Sequence, residues 1–223
     1  MGDNSGALDE QTAIARAVIY RFFSHCFSHP GGELLELFHS ARLEEFLQSW
    51  RYLGLDGLES ISRVHKWVAR WPSRETALLE LEKEYTRLFI TAYPRVIAPP
   101  YSSVYLDGQG LVWGRSTAEV ARLYEAAGLG MSEDFHDIPD HIAAELEFAS
   151  YLIVEEHKGE DNDDRPTRGL ASIEKKFLAE HLFAWAPAFF SRVTECSVAT
   201  FYRSVAGLAQ QFVEWDTDQL RRF

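Results

Sequence analysis

Pro139-Asp140-His141-Ile142-Ala143-Ala144-Glu145-Leu146-Glu147-Phe148-Ala149-Ser150-Tyr151-Leu152-Ile153 is the stretch on which the fold class turns. A proline is well tolerated at the first position of a helix, because its missing N–H would find no intrahelical partner there. After it, Ile142, Leu146, Ala149 and Ile153 recur at steps of three and four, the spacing that gathers apolar side chains on one helix face. The stretch reads as an amphipathic helix.

The same period extends outward from it. Upstream, Ser116-Thr117-Ala118-Glu119 reads as a capping box in which Ser116 and Glu119 satisfy each other's backbone donors. Val120, Leu123, Tyr124 and Ala127 continue that helix, Gly128 closes it, and Leu129 to Ile138 is a loop. Earlier helices are marked by Leu78, Leu81, Tyr85, Leu88 and Phe89, and by Leu58, Ile61, Val64 and Trp67-Val68 before Trp71-Pro72. Two short ones follow Leu34, Leu37 and Phe38, then Leu43, Phe46, Leu47 and Trp50. The first helix carries Ile14, Val18, Phe22 and Cys26, widened by Ile19, Phe23 and Phe27, and stops before His29-Pro30-Gly31-Gly32. Downstream, the charged run between Gly159 and Gly169 reads as a mobile surface loop. Leu170 to Phe223 reads as two or three helices broken at Ala186-Pro187. With no strand-like alternation and no internal repeat, the expectation is an all-α bundle of about nine to ten helices.

Between Thr91 and Arg115 the period fails. This segment holds Pro94, Pro99, Pro100, Gly108, Gly110 and Gly114, yet also Tyr93, Tyr101, Val104, Tyr105 and Trp113. A loop of that length in a compact domain is functional or disordered, and its aromatic content argues for an ordered, docked connection. It divides an N-terminal helical part, 1–115, from a C-terminal part, 116–223, within what reads as one compact unit.

Composition narrows the function. Apolar residues make up 46% of the 223 positions, enough for a sizeable core, and 34 acidic against 22 basic side chains leave a net charge of −12. Such a surface repels nucleic-acid phosphates and anionic membranes; it favours a cationic partner, and it is also an ordinary means of solubility. Cys26 and Cys196 stand alone, which excludes a thiolate zinc site or a disulfide framework and suits a reducing cytoplasm. Met1 to Gly6 has neither the basic start nor the apolar run of a signal peptide. The longest apolar run, Leu182 to Phe190, contains Pro187 and falls far short of the ~20 residues that span a bilayer. A soluble cytoplasmic protein without integral membrane association is expected.

Enzyme motifs are absent: there is no phosphate loop, no Gly-x-Ser-x-Gly elbow and no His-Glu-x-x-His. One cluster bears chemistry, namely Asp134, His136, Asp137, Asp140, His141 and Glu145. Its carboxylates could simply complement the positive end of a helix. They could hold a metal, although the second His-bearing helix that bundle sites recruit is missing. They could receive a cationic group. The spacing leaves all three open. Pro99-Pro100-Tyr101 is stiff, so its rings either present a recognition surface or, with Tyr105 and Trp113, pin the loop to the core.

Several blocks together resemble the TorD/DmsD family of redox-enzyme maturation chaperones, which is grouped with NarJ-type assembly factors. These are Glu84-Tyr85-Thr86-Arg87-Leu88-Phe89, Pro99-Pro100-Tyr101-Ser102-Ser103-Val104-Tyr105, Tyr124 with Ala127-Gly128-Leu129, and Pro139-Asp140-His141 through Phe148. His181 to Phe189 and Phe201-Tyr202 also fit. Departures are Ser102, where the family commonly has Glu; Ala149, where Met is common; and Ile90-Thr91-Ala92-Tyr93 in place of Gly-Pro. The resemblance implies an all-helical TorD-like fold without catalytic activity, cofactor or metal, as monomer or homodimer. It implies binding of the twin-arginine signal peptide, and in part the body, of a molybdoenzyme of the dimethyl-sulfoxide-reductase type. The family's binding segment corresponds to Pro100, Tyr101, Asp140 and His141.

On that basis Asp140 is expected to meet a guanidinium, whose planar fork suits two carboxylate oxygens. Asp137 or Glu145 would add field, and His141 would hydrogen bond nearby. Leu88, Phe89, Tyr101, Tyr105 and Trp113 would wall an apolar groove. A charged hydrogen bond contributes ~1.5–3 kcal/mol, whereas burying a few hundred Å² at ~25 cal/mol per Å² contributes more. The groove should set affinity and the acids the choice of arginine. Two rival expectations are a NarJ-like scaffold for a non-exported redox enzyme and a metal-dependent helical hydrolase built on Asp137, Asp140, His141 and Glu145.

Overall fold

The computed structural model describes residues 9–91, 95–108, 110–130, 137–160 and 169–221. The helices are α1 (Glu10–Phe27), α2 (Gly32–Leu37), α3 (Ala41–Tyr52), α4 (Glu59–Ala69), α5 (Arg74–Tyr85), α6 (Ser102–Leu106), α7 (Arg115–Ala126), α8 (Ile142–Glu160), α9 (Leu170–Phe177), α10 (Phe183–Cys196) and α11 (Thr200–Leu220). Wide π-helical turns continue α5 through Thr86–Ile90 and join α9 to α10 through Leu178–Leu182. Among the described residues there is no strand, so the all-α expectation holds. Asp134, His136, Tyr93, Pro94 and most of the charged run after Gly159 lie outside the described residues.

Local chemistry explains most boundaries. Asp9 caps α1 by accepting the Thr12 N–H at 3.0 Å, and Ser73 caps α5 by accepting that of Thr76 at 3.2 Å. At α7 the expected box between Ser116 and Glu119 is replaced by another arrangement. The Thr117 hydroxyl accepts the Gly114 N–H at 3.1 Å, and the Ser116 hydroxyl donates to Asp107 at 2.5 Å. Glu119 instead pairs with Arg115 at the surface. A side chain at 114 would push the Asp107 carboxylate away from Ser116, since its Cβ would stand 1.9 Å from one of the carboxylate oxygens. The connection from Thr91 to Arg115 is also less bare than expected, because it contains α6.

Pro187 does not break the last helical region; α10 runs through it. The proline forfeits one i→i−4 hydrogen bond, but Trp185, Ala186, Phe189 and Phe190 on the same turns are completely buried. Their burial outweighs the loss, at roughly 1.5–3 kcal/mol for each large side chain.

Helices from both sides of residue 115 share one core cluster. In it α1 packs on α8 and α3, while α11 packs on α10 and α4. The apolar stripe of α1 is wider than its spacing indicates; only Ile14 of the expected set faces outward. Within that stripe Arg16 is 2% exposed. Its guanidinium donates to both Asp216 oxygens at 2.6 and 3.1 Å and to Glu174 at 2.9 Å, and the Tyr20 hydroxyl donates to Asp216 at 2.6 Å. Burial works against the charge on Arg16, but the two carboxylates outweigh it and hold the guanidinium protonated. The network ties α1, α9 and α11 together.

Arg16→Met should therefore destabilise the fold by ~3–5 kcal/mol, because it strands the buried Asp216 carboxylate. Chemical denaturation should show most of that loss recovered when Asp216, Glu174 and Tyr20 are also replaced by apolar residues of similar volume.

Candidate functional site

Two backbone hydrogen bonds bring the stiff loop against the start of α8. The Ile142 N–H donates to the Pro100 carbonyl at 2.8 Å and the Ser102 N–H to the Asp140 carbonyl at 3.0 Å. They form an isolated antiparallel bridge between Tyr101 and His141, whose rings meet edge-on at 5.4 Å. The two segments singled out in the sequence are thus one local structure.

This pairing turns Asp140 inward. Its side chain is 0% exposed, and one oxygen accepts the Ser103 N–H at 2.9 Å, at the first turn of α6. The other oxygen has no partner. Asp140, expected to meet a guanidinium, lies buried beneath the Pro100–Ser102 backbone, where it orders α6. Glu145, expected to add field, is not in the groove lining. It is fully buried between α8 and α10, accepting from Trp185 Nε1 and pairing with His181 Nε2, each at 2.8 Å. Burial raises its pKa, with His181 and Trp185 offsetting part of the effect. For His181 burial works downward, but the Glu145 carboxylate outweighs it and the net shift is upward. His141 and Glu145, although four positions apart, face different parts of the molecule, because α8 begins only at Ile142.

His141 is buried and neutral. Its Nδ1 accepts the Ala143 N–H at 3.1 Å, so the ring proton sits on Nε2. That nitrogen faces the Tyr85 hydroxyl at 3.5 Å and Asp137 Oδ2 at 3.7 Å. Burial pushes the pKa down to about 4, against the pull of Asp137 and Asp140. Asp137 is the acid that reaches solvent: its side chain is 33% exposed, while one oxygen accepts the Ile138 N–H at 2.8 Å. Burial, and then the Asp137 charge, push up the pKa of both Tyr85 and Tyr101. Among the described residues no three His, Cys, Asp or Glu side chains converge as a metal site.

Two open grooves flank Tyr101. One, of about 680 Å³, is lined by Ser28, His29, Tyr85, Pro100, Asp137 and His141. The other, of about 790 Å³, is lined by Val96, Pro99, Val104, Tyr105, Leu111 and Val112, with Arg95 and Arg192. Phe89, Ile90 and Tyr101 line both, so they form a saddle between the two. Phe89, Pro100, Tyr101, Tyr105 and His141 are therefore brought together. Leu88 is not: it is 0% exposed and packs into the core, while its carbonyl anchors the loop by accepting the Ala98 N–H at 2.8 Å. Trp113 is 68% exposed and stands beyond the lining residues, with a left-handed backbone (φ 74°) that is costly for a bulky side chain. Sequence reasoning missed Ile90, Arg95 and Arg192; position 90 was visible only as a departure from the family pattern.

The Glu84–Arg87 pair supports the saddle from behind. Arg87 donates to both Glu84 oxygens at 2.6 and 2.8 Å and to the Cys196 carbonyl at 2.8 Å, at the end of α10. Glu84 also accepts the Val198 N–H at 2.7 Å. The pair fixes the α10–α11 turn against the end of α5.

Residues 43–191 match the family described as the nitrate reductase delta subunit. The chaperone protein TorD of Vibrio cholerae serotype O1 is 31% identical over 206 residues, covering 90% of each chain. The chain belongs to this family. TorD of Aliivibrio salmonicida is 29% identical over 202 residues, covering 90% of this chain and 92% of the relative. The fold is that of a redox enzyme maturation protein from Archaeoglobus fulgidus, with a TM-score of 0.54, 23% identity, and coverage of 96% of this chain and 99% of that one. In this member of the nitrate reductase delta subunit family, the Pro-Pro-Tyr and Pro-Asp-His blocks are joined by the Tyr101–His141 bridge. No helix among the described residues is long and apolar enough to cross a membrane.

The neutral His141 gives a pH dependence. Its folded pKa of about 4 lies below the ordinary 6.5, so as pH falls the unfolded chain takes up the proton first. Its contribution to stability is complete above about pH 6.5 and is lost as pH falls towards 4, by about 3 kcal/mol in all. Denaturation across this range should show His141→Gln with a flatter pH profile than the parent chain.

Proposed function

We propose that this chain is a cytoplasmic chaperone that holds the twin-arginine signal peptide of a molybdoenzyme of the dimethyl-sulfoxide-reductase type, assisting maturation before export. The observation that carries this reading is the pair of grooves meeting at Phe89, Ile90 and Tyr101, with the partly exposed carboxylate of Asp137 at one end. A twin-arginine signal offers guanidinium groups followed by an apolar stretch, and such a groove meets both needs. The names of the relatives, chaperone and redox enzyme maturation protein, support the same reading.

The work divides by depth. Phe89, Pro100, Tyr101 and Tyr105 provide apolar wall. Asp137 presents an acceptor to the guanidinium, with His141 Nε2 3.7 Å below it. Asp140 and Glu145 act through the fold, one ordering α6 and the other joining α8 to α10. This is a binding device and not a catalytic one.

Titration with a synthetic signal peptide tests the assignment. Asp137→Asn should weaken a twin-arginine peptide several-fold and a twin-lysine variant much less, because lysine lacks the planar fork. Asp140→Asn should lower thermal stability and affect both peptides alike. Tyr101→Ala should weaken both, by roughly tenfold if it removes about 1–2 kcal/mol of buried contact. Equal loss on both peptides for Asp137→Asn would remove it from the recognition site. The family is named for a nitrate reductase subunit, and a second reading is an assembly scaffold that grips a redox enzyme without an export signal. Pull-down from the native host with signal-bearing and truncated partners separates the two.

A further inference from the structure

The two ends of the groove carry opposite charge. At one end Asp137 is the partly exposed carboxylate, with the fully buried Asp140 behind it and the neutral His141 beside it. At the other end the charged lining residues are Arg95 and Arg192, both solvent-exposed. Arg192 donates through Nε to the Ile97 carbonyl, and among the described residues neither arginine has an ion pair. In a chain of net charge −12, two guanidinium groups on one groove without an ion-pair partner among the described residues are unusual neighbours. Leu111, Val112 and Trp113, all exposed, form an apolar lip at this basic end.

We infer that the groove fixes the direction of its occupant: guanidinium beside Asp137, apolar side chains across the Phe89–Ile90–Tyr101 saddle, and a carboxylate of the client against Arg95 and Arg192. The inference rests on the signal-peptide reading and adds an acidic anchor on the C-terminal side of the apolar stretch. A segment entering the other way would set its arginines against Arg95 and Arg192 and its carboxylate against Asp137. Both juxtapositions are repulsive, and repulsion of the wrong arrangement is how rim charges confer selectivity. The apolar saddle has no such preference, so direction falls to the ends.

The test uses the full chain and two synthetic peptides in fluorescence titrations at low salt. One has a twin-arginine start, an apolar run and a terminal Glu; the other has Lys in place of that Glu. The parent chain should bind the Glu peptide roughly three- to fivefold more tightly, the scale of an exposed charge pair, with the difference shrinking as salt screens it. Arg95→Glu should abolish the preference, because the new carboxylate offsets the remaining charge of Arg192. It is the decisive variant because Arg192 also holds the Ile97 carbonyl, so Arg192→Glu can act through the loop. Equal binding of both peptides by the parent chain, or an unchanged preference in Arg95→Glu, with dependence on the twin arginines intact, would overturn the polarity and leave the signal-peptide reading standing. Failure of the parent chain to bind either peptide would overturn both.

Discussion

An irregular segment buried against a helical core must still satisfy its backbone N–H and C=O groups, and no helix does it for the stretch just before α6. Pairing Pro100 and Ser102 with Ile142 and Asp140 solves this for the stretch that matters. That short antiparallel contact places Tyr101 on the saddle, buries Asp140 under α6 and sets His141 beside Tyr85. The stiffness of Pro99-Pro100 helps, because a segment already extended loses less entropy when it docks. Nearly every feature of the groove is downstream of this contact.

The acids of the molecule fall into two kinds. Exposed ones supply the net negative charge. Asp140, Glu145, Glu84 and Asp216 are buried and each holds a particular joint: α6 to α8, α8 to α10, α5 to the α10–α11 turn, and α1 to α11. An apolar side chain could fill the same volume, but it could not specify which donor to meet. Directional bonds set the register of helices whose apolar faces would tolerate sliding.

Much of this was legible. Helical periodicity located the helices, and the aromatic, proline-rich composition after Thr91 marked an ordered connection. The Pro-Pro-Tyr and Pro-Asp-His blocks marked the site. What periodicity could not supply was side-chain direction where the backbone is not α-helical. Asp140 and His141 precede α8, so their faces follow from the loop pairing and not from a 3.6-residue period. Leu88 and Phe89 sit in a π-helical turn, where the face count slips and the groove receives Phe89 and Ile90 instead of Leu88. Arg16 was hidden for another reason: its partners, Glu174 and Asp216, lie 158 and 200 positions away. Pro187 misled because a local penalty was offset by tertiary burial.

The groove draws its walls from residues 28 and 29, the end of α5, the 95–112 segment, the approach to α8, and Arg192 on α10. None of these pieces is a recognition element alone; the surface exists only when distant parts of the chain have assembled. Occupancy and folding are then thermodynamically linked, because whatever binds the assembled surface but not the open chain raises unfolding free energy with its concentration. A client segment in the groove would thus act as a brace across the bundle, so that a loaded chaperone outlasts an empty one under heat or proteolysis.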